Sequence, residues 1–367
     1  MSKPLTCLLL LSAACATADK EAAPRWTLTE TLRIGGAEVG PTSFDRIKSI
    51  AVDSVGRIFV YNHDTQDIRL FDADGELIRV IGRSGAGPGE LRNAEGATIT
   101  RDGKLWVRDA ANGRFSIFSG EGDFESSWTA RFCTSQGSWV PLSDSLGRIV
   151  SMDCVPRAGE RPGYVILAYR TDLSGVDTLS NMPECGSPEL AEAATWITRT
   201  PTSTSYRPIP FAARAVREIG VRGELWCVPN SSAYEILRLR DGDTDTLRIV
   251  RDVAPVPVTQ FERDSVIAAL EVNGPTGLDY DRIPTVKAAI ERLTVDDQGR
   301  LWVRRTNAQG EIELDVFDAE GTFVATADLG VYHTPTFVPF LVRGDNIYTV
   351  VLGEDDIPFV TRFGISQ

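Results

Sequence analysis

The sequence predicts an all-β protein made of six small antiparallel sheets arranged in a ring. The main observation is a short pattern, a glycine followed by a strand of alternating apolar residues, which recurs along the chain. Its equivalent positions are residues 59, 106, 150, 226, 302 and 348, which are 47, 44, 76, 76 and 46 residues apart. The basic unit is therefore about 45 residues long with two enlarged connections. A unit of that length with four short strands is a blade of a β-propeller.

Each unit begins with a predicted hairpin. In the first copy the strand Ile50–Val52 ends in an acidic turn, and Gly56 precedes the next strand. The turn needs a residue that tolerates positive φ, which explains the glycine. A third strand, Ile68–Phe71, and a fourth, Glu76–Gly82, complete the unit. The six copies begin at Gly56, Gly103, Gly147, Gly223, Gly299 and, in degenerate form, Asp345.

A leftover strand at the N-terminus predicts how the ring closes. Residues Trp26–Gly36 match the fourth strand of a unit, whereas the last copy ends after its third strand, near Phe363. We therefore expect the N-terminal strand to complete the last blade. This pairing removes an open sheet edge that would otherwise favour aggregation.

The segment Val80–Leu91, with its glycine-rich, proline-containing sequence, is followed by a hairpin and by Arg108–Arg114. In this order the segments resemble the six-bladed β-propellers related to NHL repeats, of the kind found as exported bacterial proteins and lipoproteins of unknown function. The resemblance is good over residues 26–125, recognisable over 290–365 and poor between 133 and 285. It implies the fold, whereas the function has to be argued from the site because propellers host enzymes, receptors and scaffolds.

The two enlarged connections are inserts of about residues 180–210 and 252–284, and both flank the fourth blade. Each joins the fourth strand of one blade to the first strand of the next, so both emerge on the face that carries the loops between second and third strands. Long loops on a rigid scaffold commonly bind ligands. The aromatic and arginine residues of these inserts are the predicted binding residues, namely Trp196, Arg199, Tyr206, Arg207, Tyr280 and Arg282.

The second insert contains a predicted helix between blades 4 and 5. Thr259 and Glu262 have capping-box spacing, helix formers run from Gln260 to Val272, and Asn273-Gly274-Pro275 ends them. Two interpretations remain open. The helix is either a lid over the central channel or a packing strut that covers the end of blade 4.

The N-terminus has the pattern of a secretory signal peptide. Lys3 precedes a mostly apolar run, Leu5–Ala14, and small residues end at Cys15. This resembles a bacterial lipoprotein signal, which predicts lipidation at Cys15, a tether over 16–25 and one propeller domain over 26–367. Ordinary cleavage after Ala16 or Ala18 is the alternative. The predicted location is accordingly the bacterial cell envelope, lipid-anchored at the outer membrane or in the periplasm, or the exterior after secretion.

Export would place four further cysteines in an oxidising compartment, where thiols pair. Four cysteines allow three connectivities. We favour Cys133 with Cys154 and Cys185 with Cys227, because these pairs close the shorter neighbouring loops.

Composition argues against several function classes. The chain has 51 acidic and 38 basic residues, for a net charge of -13, which disfavours nucleic acid and anionic lipid as partners. His63 and His333 are the two histidines of the chain. Two histidines disfavour zinc sites and a serine–histidine triad, and we interpret both as core or surface residues. The sequence predicts no catalytic residue, no metal ligand and no cofactor.

The favoured function is therefore a non-enzymatic binding module, acting as a monomer on a protein, a small molecule or a carbohydrate, with membrane contact only through the lipid. The alternative is a secreted propeller enzyme, lactonase-like or lyase-like, with its site in the central channel. Related lyases depend on several histidines, whereas calcium lactonases use carboxylates and amides, so calcium is a possible cofactor under this alternative. A structural platform without a small-molecule site is a third possibility.

Overall fold

The computed structural model describes residues 24–36, 38, 40–130, 132, 140–155, 163–181, 185–200, 204–240, 247–273, 276–330 and 340–367. Several predictions fall outside this part of the chain: the signal peptide with Cys15, His333, and the Cys133–Cys154 pair, since Cys133 and the side chain of Cys154 are not described. None of the described helices is long and apolar enough to cross a bilayer.

The described strands form six blades around a central channel, as the sequence predicts. The first strand of each blade is the innermost and the fourth is the outermost. Blade 1 is built from β2 (Ile47–Val52), β3 (Ile58–Asn62), β4 (Asp67–Phe71) and β5 (Leu77–Ile81). Blade 2 is built from β6 (Gly96–Ile99), β7 (Leu105–Asp109), β8 (Arg114–Phe118) and β9 (Phe124–Thr129). Blade 3 is built from β10 (Leu142–Ser143), β11 (Ile149–Val155), β12 (Gly163–Tyr169) and β13 (Val176–Asn181).

The second half of the ring repeats this order. Blade 4 is built from β16 (Val216–Ile219), β17 (Leu225–Val228), β18 (Glu235–Leu239) and β19 (Leu247–Val250). Blade 5 is built from β20 (Arg292–Val295), β21 (Leu301–Thr306), β22 (Ile312–Phe317) and β23 (Phe323–Gly330). Blade 6 is built from β24 (Leu341–Arg343), β25 (Asn346–Leu352), β26 (Pro358–Ser366) and the N-terminal strand β1 (Arg25–Ile34).

The repeated turn between the first two strands of a blade has a clear physical basis. In blade 1 the Asp53 carboxylate accepts hydrogen bonds from the backbone N–H groups of Val55 and Arg57, and it pairs with the Arg57 side chain at 2.7 Å. Gly56 between them has φ 88°, a conformation that a side chain disfavours. Asp144 with Arg148, and Asp296 with Arg300, repeat the same arrangement. The sequence repeat is therefore a repeat of locally satisfied turns.

The N-terminal strand closes the ring, which confirms the prediction. β1 pairs antiparallel with β26, with Leu28 opposite Ile365 and Ile34 opposite Val360. The same strand also makes a short parallel contact with the outer strand of blade 5, where Trp26 lies opposite Ala327. One strand thus joins blades 5 and 6, a link that the sequence pattern did not predict.

The core is divided among the contacts between neighbouring blades. Six clusters of buried apolar side chains each contain residues of two adjacent blades. The repeat supplies them directly, because Trp106, Trp226 and Trp302 occupy its aromatic position and are 0% exposed. Each blade is therefore stabilised by both of its neighbours.

The two inserts form a separate unit beside blade 4. The first contains α1 (Pro188–Ala193) and the hairpin β14 (Thr195–Arg199) with β15 (Thr204–Pro208), and the second contains α2 (Gln260–Asn273). The helix confirms the prediction to within one residue. Its capping box is also confirmed, since Glu262 N–H donates to Thr259 Oγ1 at 3.2 Å and Thr259 N–H donates to Glu262 Oε2 at 2.9 Å.

A disulfide between Cys185 and Cys227 anchors the first insert to blade 4. Cys185 lies in the connection between β13 and β16, and Cys227 lies on β17. Both residues are 1% exposed. This bond confirms the second of the two predicted pairs.

Candidate functional site

A cavity of about 980 Å³ lies where the inserts meet the channel. Its described lining comes from blade 1, blade 4, blade 5, blade 6 and both inserts. The residues belong to connections between blades, to loops between second and third strands, and to the ends of adjoining strands, which is the face predicted to carry a site. The apolar part of the lining consists of Ile47, Pro208, Ile209, Pro210, Phe211, Ala212, Val266, Ala288, Ile290, Ile312, Val350, Leu352 and Pro358.

One wall of this cavity depends on the packing of the two inserts against each other. Trp196, on β14, is 4% exposed and shares an apolar cluster with Ile209, Leu270 and Ile283. Its indole N–H donates to the carbonyl of Asp279 at 3.0 Å. The hairpin of the first insert is thereby fixed to the second insert.

Polar contacts strengthen the same packing. Arg282 donates to the carbonyls of Glu192 and Ala193, at the end of α1, at 3.1 and 2.9 Å. Arg263, on α2, donates to the carbonyls of Tyr280 and Ile283 at 2.7 and 2.9 Å. The inserts therefore form one cap that borders the cavity, and α2 contributes both to its packing and to the cavity wall.

The structure separates the six predicted binding residues. Trp196, Tyr280 and Arg282 come together at the junction of the inserts, with the rings of Trp196 and Tyr280 6.3 Å apart. Arg199 and Tyr206 lie exposed on the hairpin, and Arg207 is partly exposed next to Tyr206. None of these residues is among those that line the cavity, and their role in binding stays a prediction.

Three carboxylates of the cavity are held in ion pairs. Asp64 pairs with Arg46 on blade 1, and Glu262, on α2, pairs with Lys287, in the segment that leads from the second insert into β20. The third, Glu291, accepts from Arg304 Nε at 3.1 Å and also accepts from the Thr306 hydroxyl. In each pair the two charges largely cancel at the cavity surface.

Three other charged residues of the lining have no such side-chain partner among the described residues. They are Asp45, in the segment that leads into β2, Asp356, in the loop between β25 and β26, and Arg214, in the segment that leads into β16. All three are exposed. They are the charged groups that a ligand in the cavity meets without breaking an ion pair with a described residue.

The Asp356 loop is also unusual in its backbone. Asp355 and Asp356 have φ values of 56° and 58°, which are uncommon for residues other than glycine. Such conformations cost free energy and occur frequently at functional sites.

Three titratable groups on or near the innermost strands have shifted pKa values. Burial raises the pKa of Glu218, on β16, to about 7, although the positive charge of Arg292 opposes this shift. Burial lowers the pKa of Lys48, on β2, and the nearby charge of Arg46 lowers it further. Burial also lowers the pKa of His63, which follows β3, and the positive charges of Lys48 and Arg46 lower it further. The shifts disfavour charge on all three groups.

No group of three or more histidine, cysteine, aspartate or glutamate residues lies close enough to hold a metal ion within the part of the chain that the structure describes.

Sequence reasoning pointed to the face on which this cavity lies, but it did not single out Asp45, Asp356 and Arg214. Asp45 and Arg214 each lie two residues before the innermost strand of a blade. The repeat places residues just before an innermost strand at the channel mouth. The position of Asp45 and Arg214 could therefore have been predicted from the sequence. Which of the charges there lack a partner depends on neighbours that are distant in sequence.

Comparisons with known proteins agree with this architecture. Residues 42–136 match the model of a family described as 6-bladed beta-propeller. The human NHL repeat-containing protein 3 is 24% identical over 106 residues, which are 28% of this chain and 30% of that protein. The match thus spans less than a third of the relative's length.

Several solved structures with low sequence identity are similar to this chain over most of its length. A predicted exported protein from Bacteroides fragilis is similar with a TM-score of 0.50 at 11% identity, covering 93% of this chain and 96% of that chain. The virginiamycin B lyase from Staphylococcus aureus gives a TM-score of 0.47 at 12% identity, covering 92% and 99%. Regucalcin from Agrobacterium tumefaciens gives 0.44 at 12% identity, covering 94% and 96%. The protein is therefore a six-bladed β-propeller with an NHL-like repeat.

Proposed function

We propose that this protein is an exported, non-enzymatic binding module whose ligand occupies the cavity at the channel mouth. The cavity carries the proposal. Its volume of about 980 Å³ lies within the range of small-molecule sites, about 300–1,000 Å³, and its lining combines many apolar side chains with a few charged ones.

The three ion-paired carboxylates of the lining favour binding over catalysis at their own positions. A general acid or base needs a group that can exchange protons with the substrate. Asp64, Glu262 and Glu291 are instead engaged with Arg46, Lys287 and Arg304. These contacts fix the positions of the three side chains, which suits a preformed wall.

The disulfide supports export. Cys185 and Cys227 are bonded to each other, and such bonds persist in oxidising compartments outside the cytosol. Together with the leader sequence, this favours a protein that works in the cell envelope, through a lipid on Cys15, or after secretion. Intact-mass analysis of the mature protein tests the lipid, because cleavage after Ala16 or Ala18 would leave no acylated Cys15.

Thermal unfolding with a small-molecule library tests the site. The library contains saccharides, short peptides and small carboxylic acids, and a ligand that binds the folded state raises Tm. Ala288→Trp fills part of the cavity, since Ala288 lines it, whereas Ala268 lies exposed on α2 outside the lining. We expect hits that raise the Tm of the native protein and of Ala268→Trp but not of a folded Ala288→Trp.

Two results would contradict the proposal. A library without hits, or hits that persist in Ala288→Trp, would remove the cavity as the binding site. Calcium-dependent turnover of a lactone, lost in Ala288→Trp, would replace the module by the enzyme alternative.

A further inference from the structure

We infer that the cavity recognises a short peptide with free termini, whose carboxylate meets Arg214 and whose ammonium group meets Asp45 and Asp356. The inference rests on the proposed function, because it assigns the ligand of the same cavity. It follows from the position of the three charges, from the cancellation of the others and from the apolar surface between them.

The opposite charges lie on opposite sides of the ring. Arg214 leads into the innermost strand of blade 4, and Asp45 leads into the innermost strand of blade 1. In a ring of six blades these two are diametrically opposed. Asp356 belongs to blade 6, the neighbour of blade 1 that closes the ring. The positive and negative groups therefore face each other across the cavity that all three line.

The remaining charges of the lining do not obscure this polarity. Arg46 is paired with Asp64, Lys287 with Glu262 and Arg304 with Glu291. Each pair contributes one positive and one negative charge. What remains is Arg214 on the blade 4 side and two carboxylates on the side of blades 6 and 1, so the cavity has a positive wall and a negative wall.

The backbone at Arg214 is fixed at the channel mouth. Its N–H donates to Ser231 Oγ at 3.0 Å, and its carbonyl accepts from the Ser231 N–H at 3.0 Å. Ser231 is 0% exposed, and its own carbonyl accepts from Ala289 N–H at 2.7 Å. This anchoring leaves only the side chain of Arg214 free to move, which lowers the entropy lost when it binds a ligand.

The positive wall carries the guanidinium of Arg214. A guanidinium matches a carboxylate in a bidentate geometry, which makes this wall suited to a peptide C-terminus.

The cavity has the length and the surface for a few residues. A sphere of about 980 Å³ is about 12 Å across, which three to four extended residues span at about 3.3–3.6 Å each. Half of the described lining residues are apolar, with Pro210, Phe211 and Ile290 among them. A neutral saccharide has neither terminal charge nor apolar side chains for this surface.

Calorimetric titration with three forms of one tripeptide tests the inference in the full mature chain. The probes are alanyl-leucyl-alanine with free termini, its N-acetyl derivative, which lacks the ammonium group, and its amide, which lacks the carboxylate. We expect the free peptide to bind, and each capped form to bind roughly tenfold more weakly or worse, because a charge-assisted contact is lost.

Variants assign the ends of the peptide. Arg214→Gln should weaken the free and the N-acetyl peptide about tenfold but leave the weak binding of the amide unchanged. The double variant of Asp45→Asn and Asp356→Asn should weaken the free peptide and the amide but not the N-acetyl form. Arg101→Gln and Asp74→Asn are the matched controls, since both residues are exposed and lie outside the cavity lining. Both controls should bind like the native protein.

The outcomes separate the inference from the proposed function. Equal binding of the three peptides, or no binding of the free peptide, would overturn the inference. If a saccharide from the library still raised Tm and lost this effect in Ala288→Trp, the binding function would stand with a different ligand class. Loss of every cavity-dependent effect would overturn both.

Discussion

Two arginines of the same ring differ in how completely the fold satisfies them. Arg108, on β7, is 1% exposed, and its guanidinium donates to Glu95 Oε2 at 3.1 Å, Ser151 Oγ at 2.8 Å and the Met152 carbonyl at 3.0 Å. Arg214 lies exposed on the insert side of the ring with no side-chain partner among the described residues. The first arginine joins blades 2 and 3, whereas the second is available to a ligand.

The same type of side chain is thus satisfied within the fold at one position and has no described side-chain partner at the other. Burial raises the pKa of Asp153 to about 6, but the positive charge of Arg108 opposes this shift. Burial likewise raises the pKa of Glu95, and the positive charge of Arg108 opposes that shift. Between blades 2 and 3 the acids and the base therefore depend on one another. At the cavity, Arg214 has no such acid among the described side chains, and the inferred partner of its charge is the carboxylate of the ligand.

The largest expected effect is at the satisfied arginine. Arg108→Met would leave Glu95 and Asp153 buried without their counter-charge, and we expect a loss of about 3–5 kcal/mol in the free energy of unfolding. Urea denaturation followed by tryptophan fluorescence measures it. Arg101→Met, at an exposed position, is the control and should not change the midpoint. A native-like midpoint for Arg108→Met would show that the buried pairs do not stabilise the contact between these blades.

Removal of the disulfide between the first insert and blade 4 is expected to cause the second-largest loss of stability. The bond joins residues 42 positions apart, and its removal in a Cys185→Ala and Cys227→Ala double variant should cost about 2–5 kcal/mol of unfolding free energy. Denaturation under non-reducing conditions measures this loss. Each single variant breaks the same bond and should lose nearly as much. Full stability of the double variant would mean that the connection to blade 4 is held by packing alone.

A smaller substitution in the cap should lower stability mainly within the inserts. Trp196→Phe removes the indole N–H that binds the Asp279 carbonyl and part of the buried ring, and we expect a loss of about 1–3 kcal/mol. Hydrogen exchange should become faster in β14 and β15 while the blades stay protected. Trp128→Phe is a matched substitution in a blade and should leave exchange in the insert unchanged. Equal protection in Trp196→Phe would contradict the view that the inserts hold each other.

The smallest expected effect is a dependence of the free energy of unfolding on pH, which comes from Glu218 on an innermost strand. The folded pKa of Glu218 is raised to about 7 from an ordinary value of 4.5, so the folded state binds the proton more tightly than the unfolded state. This contribution to stability is fully present below pH 4.5 and is lost as the pH rises through 7. The stability of the native protein should therefore fall relative to that of Glu218→Gln between pH 5 and pH 7.5. Parallel curves for the two proteins would show that Glu218 does not titrate in this range.

Much of the blade architecture could be predicted because its determinants are local. The Asp53–Arg57 turn needs residues four positions apart, and the glycine between them is required by its positive φ. The helix in the second insert was predicted from the spacing of Thr259 and Glu262 for the same reason. The disulfide between Cys185 and Cys227 was favoured because this pairing closes a shorter loop than the alternatives do, and the structure has this bond.

The cavity charges could not be predicted in this way. Glu262 meets Lys287 25 residues later, and Trp196 meets Asp279 83 residues later. No pattern in the chain indicates that these partners meet while Arg214 has none among the described residues. The aromatic residues of the inserts were chosen for their chemistry, but several of them are used for packing.

The amino-acid sequence alone determined the repeat, the number of blades and the closure of the ring, because short-range turns and alternating strands fix these features locally. Tertiary structure decided which inserts join, that β1 also bridges blades 5 and 6, and which charges remain at the cavity. The physical reason is that ion pairing and burial depend on distances between side chains of different blades, and these distances exist only after the ring has closed.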